Sequence, residues 1–231
     1  MTRSPTNNAV SQAAGDGSLI EIYRRVPGTA EVAAVAALLQ PDSKILDLGA
    51  GAGRIANPLA ELGHAVTAVD DSAEMLAHVR HARTIQSCIE GLRLAERFDA
   101  VLLCSSLINY PGSEFRRGLL ATVAHHLRPT GKAIIQWRSP QWFSQWPQGT
   151  YHRAVGSMLQ TMTIVTNENG FVAGEFTIQD DQGSLTQPFQ AHRVSGEELE
   201  ALLRQVGMEL ATADPESSEW LQTSLINTRA A

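Results

Sequence analysis

Residues 45–54 read ILDLGAGAGR, an apolar run that ends in glycines at positions 49, 51 and 53. A glycine turn after a strand places a bulky ligand directly against the main chain, because a Cβ would block the ligand or forbid the φ that the turn requires. Three ligand classes compete for such a turn. A nucleoside triphosphate calls for a loop ending in Gly-Lys-Ser/Thr, whereas these glycines run into Arg54 and Ile55. A dinucleotide calls for G-x-G-x-x-G/A, and Arg54 stands at the third small position. The first class fails and the second is weakened. A nucleoside cofactor without a phosphate remains.

The surrounding pattern alternates. Residues 29–39 carry Val32, Val35, Ala36 and Leu39 on one helical face before the Pro41-Asp42 turn. Strands are expected over 44–48, 65–69, 84–88, 100–104 and 132–137. Helices are expected over 54–62, from the capping-box-like pair Asp71 and Glu74 onward, and over 114–127, with a turn at Pro129-Thr130-Gly131. Pro58 conflicts mildly with the helix that holds it. Strand and helix in this order predict a parallel, helix-covered sheet.

After Trp137 the pattern turns antiparallel. Asn169-Gly170 between apolar runs signals a hairpin, and a further strand over 185–194 carries an edge-type Pro188. Ser195 and Glu198 form a second capping box, Gly207 closes that helix, and 208–212 and 220–227 finish the sheet.

The 231 residues are 43% hydrophobic, enough for one well-packed domain or a domain with an elaboration. The formal charge of -6 and the lack of a basic block argue against a nucleic-acid partner and for a small substrate. Cys88 and Cys104 lie far apart, so neither a disulfide framework nor a zinc site is indicated, and a reducing cytoplasmic setting is expected. No apolar run is long enough to cross a bilayer. Residues 1–17 are polar, lack a signal-peptide core and are expected to be a disordered leader.

Asp47-x-Gly49-x-Gly51-x-Gly53, with Asp70 closing the second strand, sets two carboxylates beside a bare turn. With "VTAVDDSAEML", "FDAVLLCSS" and "HLRPTGKAIIQW" following in order, the chain resembles the class I S-adenosylmethionine-dependent methyltransferases over roughly residues 23–137 plus the closing helix and two strands. The resemblance implies an α/β, Rossmann-like, doubly wound and mostly parallel seven-stranded sheet. It assigns 18–149 and 195–231 to the cofactor-binding domain and 150–194 to an antiparallel insertion over the acceptor.

S-adenosylmethionine, with its sulfonium, ammonium and ribose diol, suits acidic side chains. Asp70 matches the family's ribose-binding acid, and Asp47 orients the loop or approaches the ammonium. Tyr23, Gly49, Ala50, Gly51, Gly53, Asp71, Met75 and Cys104 complete the expected surroundings, with Met75 equally at home as core. Where many members carry Gly-Asp-Ala for adenine, this chain reads Ser87-Cys88-Ile89-Glu90, so Ile89 is expected to stack and Glu90 to take the amine.

On the acceptor side, Asn109-Tyr110-Pro111 has the wrong order for the amino-methylating nucleic-acid motif. Gln136-Trp137-Arg138-Ser139 lacks the acidic pair of metal-dependent catechol methylation, so no metal is expected. Residues 136–153 concentrate Trp137, Trp142, Trp146 and His152 in an expected loop. These aromatics either clamp the loop to the sheet or, with Asn109 and Tyr110, line a pocket for a flat apolar acceptor. Tyr23, Asn109 and His152 are the catalytic candidates, His152 as general base against the alternative of a loop hydrogen-bonder. The expected activity is N-, O- or indole C-methylation in bacterial natural-product tailoring, with a homodimer left open. A catalytically silent cofactor-binding subunit or regulator, or a nicotinamide oxidoreductase, is the alternative.

Overall fold

The computed structural model describes residues 19–227; the expected leader lies outside them. Helices α1 (Ile20–Arg25) and α2 (Thr29–Ala36) lead into β1 (Lys44–Leu48), α3 (Ala56–Glu61), β2 (Ala65–Asp70), α4 (Ala73–Leu76), β3 (Arg83–Gln86), β4 (Phe98–Leu103), α5 (Ser113–His126) and β5 (Leu127–Gln136). A short α6 (Pro140–Gln145) precedes β6 (Gly149–Val155), β7 (Met158–Glu168), β8 (Phe171–Asp180) and β9 (Gly183–His192). Helix α7 (Gly196–Gln205), β10 (Met208–Leu210) and β11 (Trp220–Leu225) follow.

Seven strands form one sheet in the order β10-β11-β5-β4-β1-β2-β3, parallel from β5 through β3 and antiparallel where β11 meets β5 and β10. The expected doubly wound, mostly parallel architecture is the observed one. Strand β1 sits inside it with both faces covered, which is why its sequence is nearly continuously apolar. Leu46 and Leu48 pack toward Leu119, Val123 and Leu203 of α5 and α7, while Ile45 packs toward Val35 and Leu59 of α2 and α3. Each such fully buried side chain contributes about 1.5–3 kcal/mol. Pro58 falls in the first turn of α3, where a missing N–H is tolerated.

The second sheet, β6-β7-β8-β9, is wholly antiparallel. Asn169 (φ 52°) and Gly170 (φ 74°) turn the β7–β8 hairpin with the positive dihedrals of a primed turn, and Pro188 lies on the edge strand β9, as expected. Period-two alternation gives this sheet one inward face. Met158 and Ile178 pack there on Ile22 of α1, and Ile164, Val172 and Ala191 pack on Phe143 of α6. Met162, Phe176, Gln187 and Phe189 share that face between the two helices.

Three local expectations are corrected. The α4 cap is Ser72, whose Oγ accepts from Met75 N at 3.1 Å, and not Asp71; the helix is a single turn. Pro129-Thr130-Gly131 is part of β5 and makes no turn: a register shift opposite Phe98 and Ala100 absorbs the proline. A Cβ on Gly131 would lie 2.9 Å from Phe98 O, so this glycine marks a close approach of two backbones. Residues 136–153 are not a loop. Ser139 caps α6 with Pro140 in its first turn, and β6 follows.

Among the described residues no helix is long and apolar enough to cross a membrane, and no cluster of three or more His, Cys, Asp or Glu has the arrangement to hold a metal ion.

Candidate active site

At the carboxyl end of β1 the glycine turn hangs from β2. Gly49 N and Ala50 N both donate to Val69 O, at 2.8 and 2.9 Å. Gly51 and Gly53 adopt positive φ for different reasons. A Cβ on Gly53 would press on the Asn57 side chain at 2.8 Å, so this glycine lets α3 pack. A Cβ on Gly51 would meet only Met75 Sδ, at 4.0 Å, so this glycine leaves open space. Asp70, at the end of β2, closes the turn: its Oδ2 accepts from Gly51 N at 2.8 Å and its Oδ1 from Ser72 N at 3.0 Å.

Asp47 is 1% exposed, and its Oδ2 has no hydrogen-bond partner. Burial raises its carboxyl to about 7; the Asp70 charge adds to the rise and the Arg54 guanidinium opposes it. A buried carboxyl poised in this way is costly unless a cation or donor reaches it. Burial also holds the Cys104 thiol far above its ordinary value, with Asp47 contributing, so Cys104 is no nucleophile.

A cavity of about 300 Å³ opens in front of this turn. Its wall includes Tyr23, Asp47, Gly49, Ala50, Gly51, Asp70, Asp71, Met75, Ile89, Glu90 and Cys104 from the expected cofactor surroundings, and Tyr110 from the acceptor set. Gly53 is not in it. Arg54, Ser105, Leu107 and Phe115 join the wall without having been foreseen. Tyr110 stacks on Phe115, with ring centroids 6.2 Å apart.

A second cavity of about 410 Å³ adjoins the first and shares Tyr23, Arg54, Ser105 and Tyr110 with it. Ile22 of α1 and its C-cap Val26 line one side, Gln136 ends β5 with Arg138 just beyond it, and the inward face of the second sheet lies opposite. Arg54 Nη1 pairs with Glu31 Oε1 at 2.6 Å across this wall. Ser105 and Ser106, both at φ 56°, hold the left-handed conformation at the end of β4, and Gln136 Oε1 takes Ser105 N at 2.8 Å. Non-glycine residues in that region are sparsely populated and concentrate at binding sites.

The other acceptor candidates lie outside both cavity walls. Asn109 is buried as a tie: its Nδ2 donates to Arg138 O and His192 O, both at 3.0 Å, and its Oδ1 accepts from Arg138 N at 2.7 Å. Trp137 is fully buried in the main core and donates through Nε1 to Ser218 O at 2.6 Å. Trp142 and Trp146 pack α6 onto the second sheet beside Phe143. His152 pairs with Thr161 across β6 and β7, on the face opposite Tyr151 and Met162. Its exposed ring bonds Thr161 Oγ1 at 3.0 Å.

Residues 45–131 match the family described as a methyltransferase domain. Over those residues the chain is similar to methyltransferase domains. The ubiquinone biosynthesis O-methyltransferase of Rickettsia akari is 34% identical over 100 residues, 40% of this chain and 39% of the relative. The chain therefore spans about two fifths of that relative's length. Two solved structures share the domain's architecture over nearly its whole length. The CcbJ methyltransferase of Streptomyces caelestis aligns with a TM-score of 0.71 at 20% identity, covering 90% of this chain and 96% of that one. CalS10, an amino pentose methyltransferase of Micromonospora echinaspora solved with S-adenosylmethionine bound, aligns at 0.69 and 21% identity, covering 90% and 94%.

Proposed function

We propose that the protein is an S-adenosylmethionine-dependent methyltransferase acting on a small molecule, with an amine as the accepting group. The observation that carries the cofactor half is Asp47 Oδ2, a buried carboxylate oxygen left without a partner beside the open space in front of Gly51. A ligand with a cationic amino-acid end and a ribose diol fits both features. Asp47 faces the cation, and Asp70, at the end of β2 in the same cavity wall, accepts from the ribose. Ile89 and Glu90 line the same cavity, and this reading assigns the adenine to them. S-adenosylmethionine supplies an electrophilic methyl on a sulfonium that departs as a neutral thioether.

The chain's share is alignment. Tyr23, Arg54, Ser105 and Tyr110 border both cavities, and the acceptor's nucleophile is placed among them. Glu31, the carboxylate of the second wall, is engaged by Arg54. A nucleophile that arrives with its own lone pair suits this lining better than a phenol or alcohol that must first lose a proton. The amino pentose methyltransferase named above is consistent with that preference. The antiparallel strands serve as the roof of the acceptor cavity.

Methyl transfer from radiolabelled cofactor to matched aromatic amines and phenols tests this reading. Label is expected in the amines, with turnover that tracks the fraction of unprotonated amine. Label in the phenols alone, or in neither class while the cofactor binds, contradicts it; the second result favours a silent cofactor-binding protein.

A further inference from the structure

Arg138 is set into the wall of the second cavity, and among the described residues its guanidinium makes no hydrogen bond or ion pair. Its hydrogen bonds are main-chain ones to Asn109. The planar group lies over the Trp142 ring, with Cζ 4.1 Å from the centroid, and 6.0 Å from the centroid of Phe189, which lines the same cavity. Stacking leaves the edge of the guanidinium, where its N–H donors point, as its reactive side. Asn109 holds the main-chain N–H and C=O of the arginine itself, and the guanidinium rests against the Trp142 ring, so the donors are positioned before any ligand arrives.

The charges of the wall define the ligand. Glu31 and Arg54 neutralise each other as an ion pair, which leaves Arg138 as the remaining cation of the wall, with no carboxylate hydrogen-bonded to it among the described residues. The nearby Glu219 is within electrostatic reach, yet its Oε1 accepts from Gln136 Nε2 at 2.7 Å. Burial lowers the Arg138 guanidinium to about 10, which still leaves it charged at neutral pH. One cation calls for one negative charge; a phosphomonoester dianion would leave a charge unmatched in a partly desolvated site. A carboxylate matches the guanidinium fork in charge and in bidentate geometry. Ile22, Val26, Met162 and Phe176 supply an apolar surface for the body of the same ligand.

We propose that the second cavity binds an acceptor through a carboxylate held by Arg138, so that the substrate class is small amino acids in the broad sense, with an amine to be methylated and a carboxylate as anchor. This rests on the methyltransferase reading above and deepens it.

The test uses the full chain saturated with S-adenosylhomocysteine. The probes are 2-, 3- and 4-aminobenzoate and L-phenylalanine, each beside its primary amide, with 4-aminophenylphosphonate as the dianion arm. Affinities are read by ligand-observed NMR. At least one carboxylate is expected to bind tenfold or more tighter than its amide, and Arg138→Gln is expected to reduce that ratio below twofold while S-adenosylmethionine affinity stays within twofold of wild type. Phe189→Leu, which loosens the guanidinium and leaves its charge, is the second variant and should reduce the ratio severalfold. Amides that bind as well as acids, no acid binding at all, a stronger phosphonate, or a ratio unchanged in both variants overturns the proposal. Failure of the wild-type protein to bind S-adenosylmethionine instead overturns the reading beneath it.

Discussion

Asp47→Asn tests the electrostatics of the turn quantitatively. Burial raises the Asp47 carboxyl from 3.8 to about 7, roughly three pH units, which at about 1.4 kcal/mol each amounts to about 4 kcal/mol. The sign follows from proton binding. Between pH 4 and 7 the folded protein holds a proton on Asp47 that the unfolded chain has released, so stability falls as pH rises through that window, and the full penalty is present above pH 7. Asparagine carries no charge at any of these values. Unliganded Asp47→Asn should therefore exceed wild type in stability by up to about 4 kcal/mol at pH 8.5, with an advantage about 2–3 kcal/mol smaller at pH 5. Urea unfolding of both proteins at the two pH values measures this, and any change in local hydrogen bonding cancels in the difference between them. The same variant should bind S-adenosylmethionine at least tenfold more weakly at pH 8.5, because the site loses its buried anion. A variant less stable than wild type by equal amounts at both pH values would refute the reasoning, for Asp47 would then be an ionised and satisfied group.

Asp70→Ala removes two bonds to backbone N–H groups as well as the expected ribose contact. It should lower unliganded stability by about 2 kcal/mol in thermal unfolding and weaken cofactor binding at least tenfold by calorimetry. Asn109→Ala leaves two buried carbonyls and one N–H of the tie between the sheets without their partner, at a cost of about 2–4 kcal/mol in urea unfolding. His152→Ala, on the outer face of the second sheet, should leave kcat within twofold of wild type at saturating acceptor; a hundredfold loss would restore His152 as general base.

The wall of the first cavity is the part legible in the sequence, because it lies on short stretches whose local chemistry dictates their conformation. Glycines that need positive φ and an acid at the end of each of two adjacent parallel strands are local signals. The acceptor half depends on long-range placement. Trp137 and Trp142 are neighbours in the same aromatic-rich stretch, yet the strand pleat sends Trp137 into the main core while α6 carries Trp142 to the second sheet. His152 lies on the outer face of the second sheet, since Tyr151 and His152 point to opposite faces of β6, and even the inward Tyr151 packs on Trp146 and lines neither cavity. Arg138 gave no sequence signal beyond its place after β5; its role needs Phe189, some fifty residues on, to be seen. Two local signals were overlooked: Ser72 as the cap of α4, and Ser139-Pro140, a helix start ahead of aromatics at helical spacing.

Calorimetric titration of the purified protein with S-adenosylmethionine, S-adenosylhomocysteine and NAD tests the central claim most directly. The site built from Asp47, Gly51 and Asp70 predicts one saturable site for each of the first two ligands and no response to NAD. Saturable NAD binding of comparable strength, or no binding of either adenosyl compound, would contradict it.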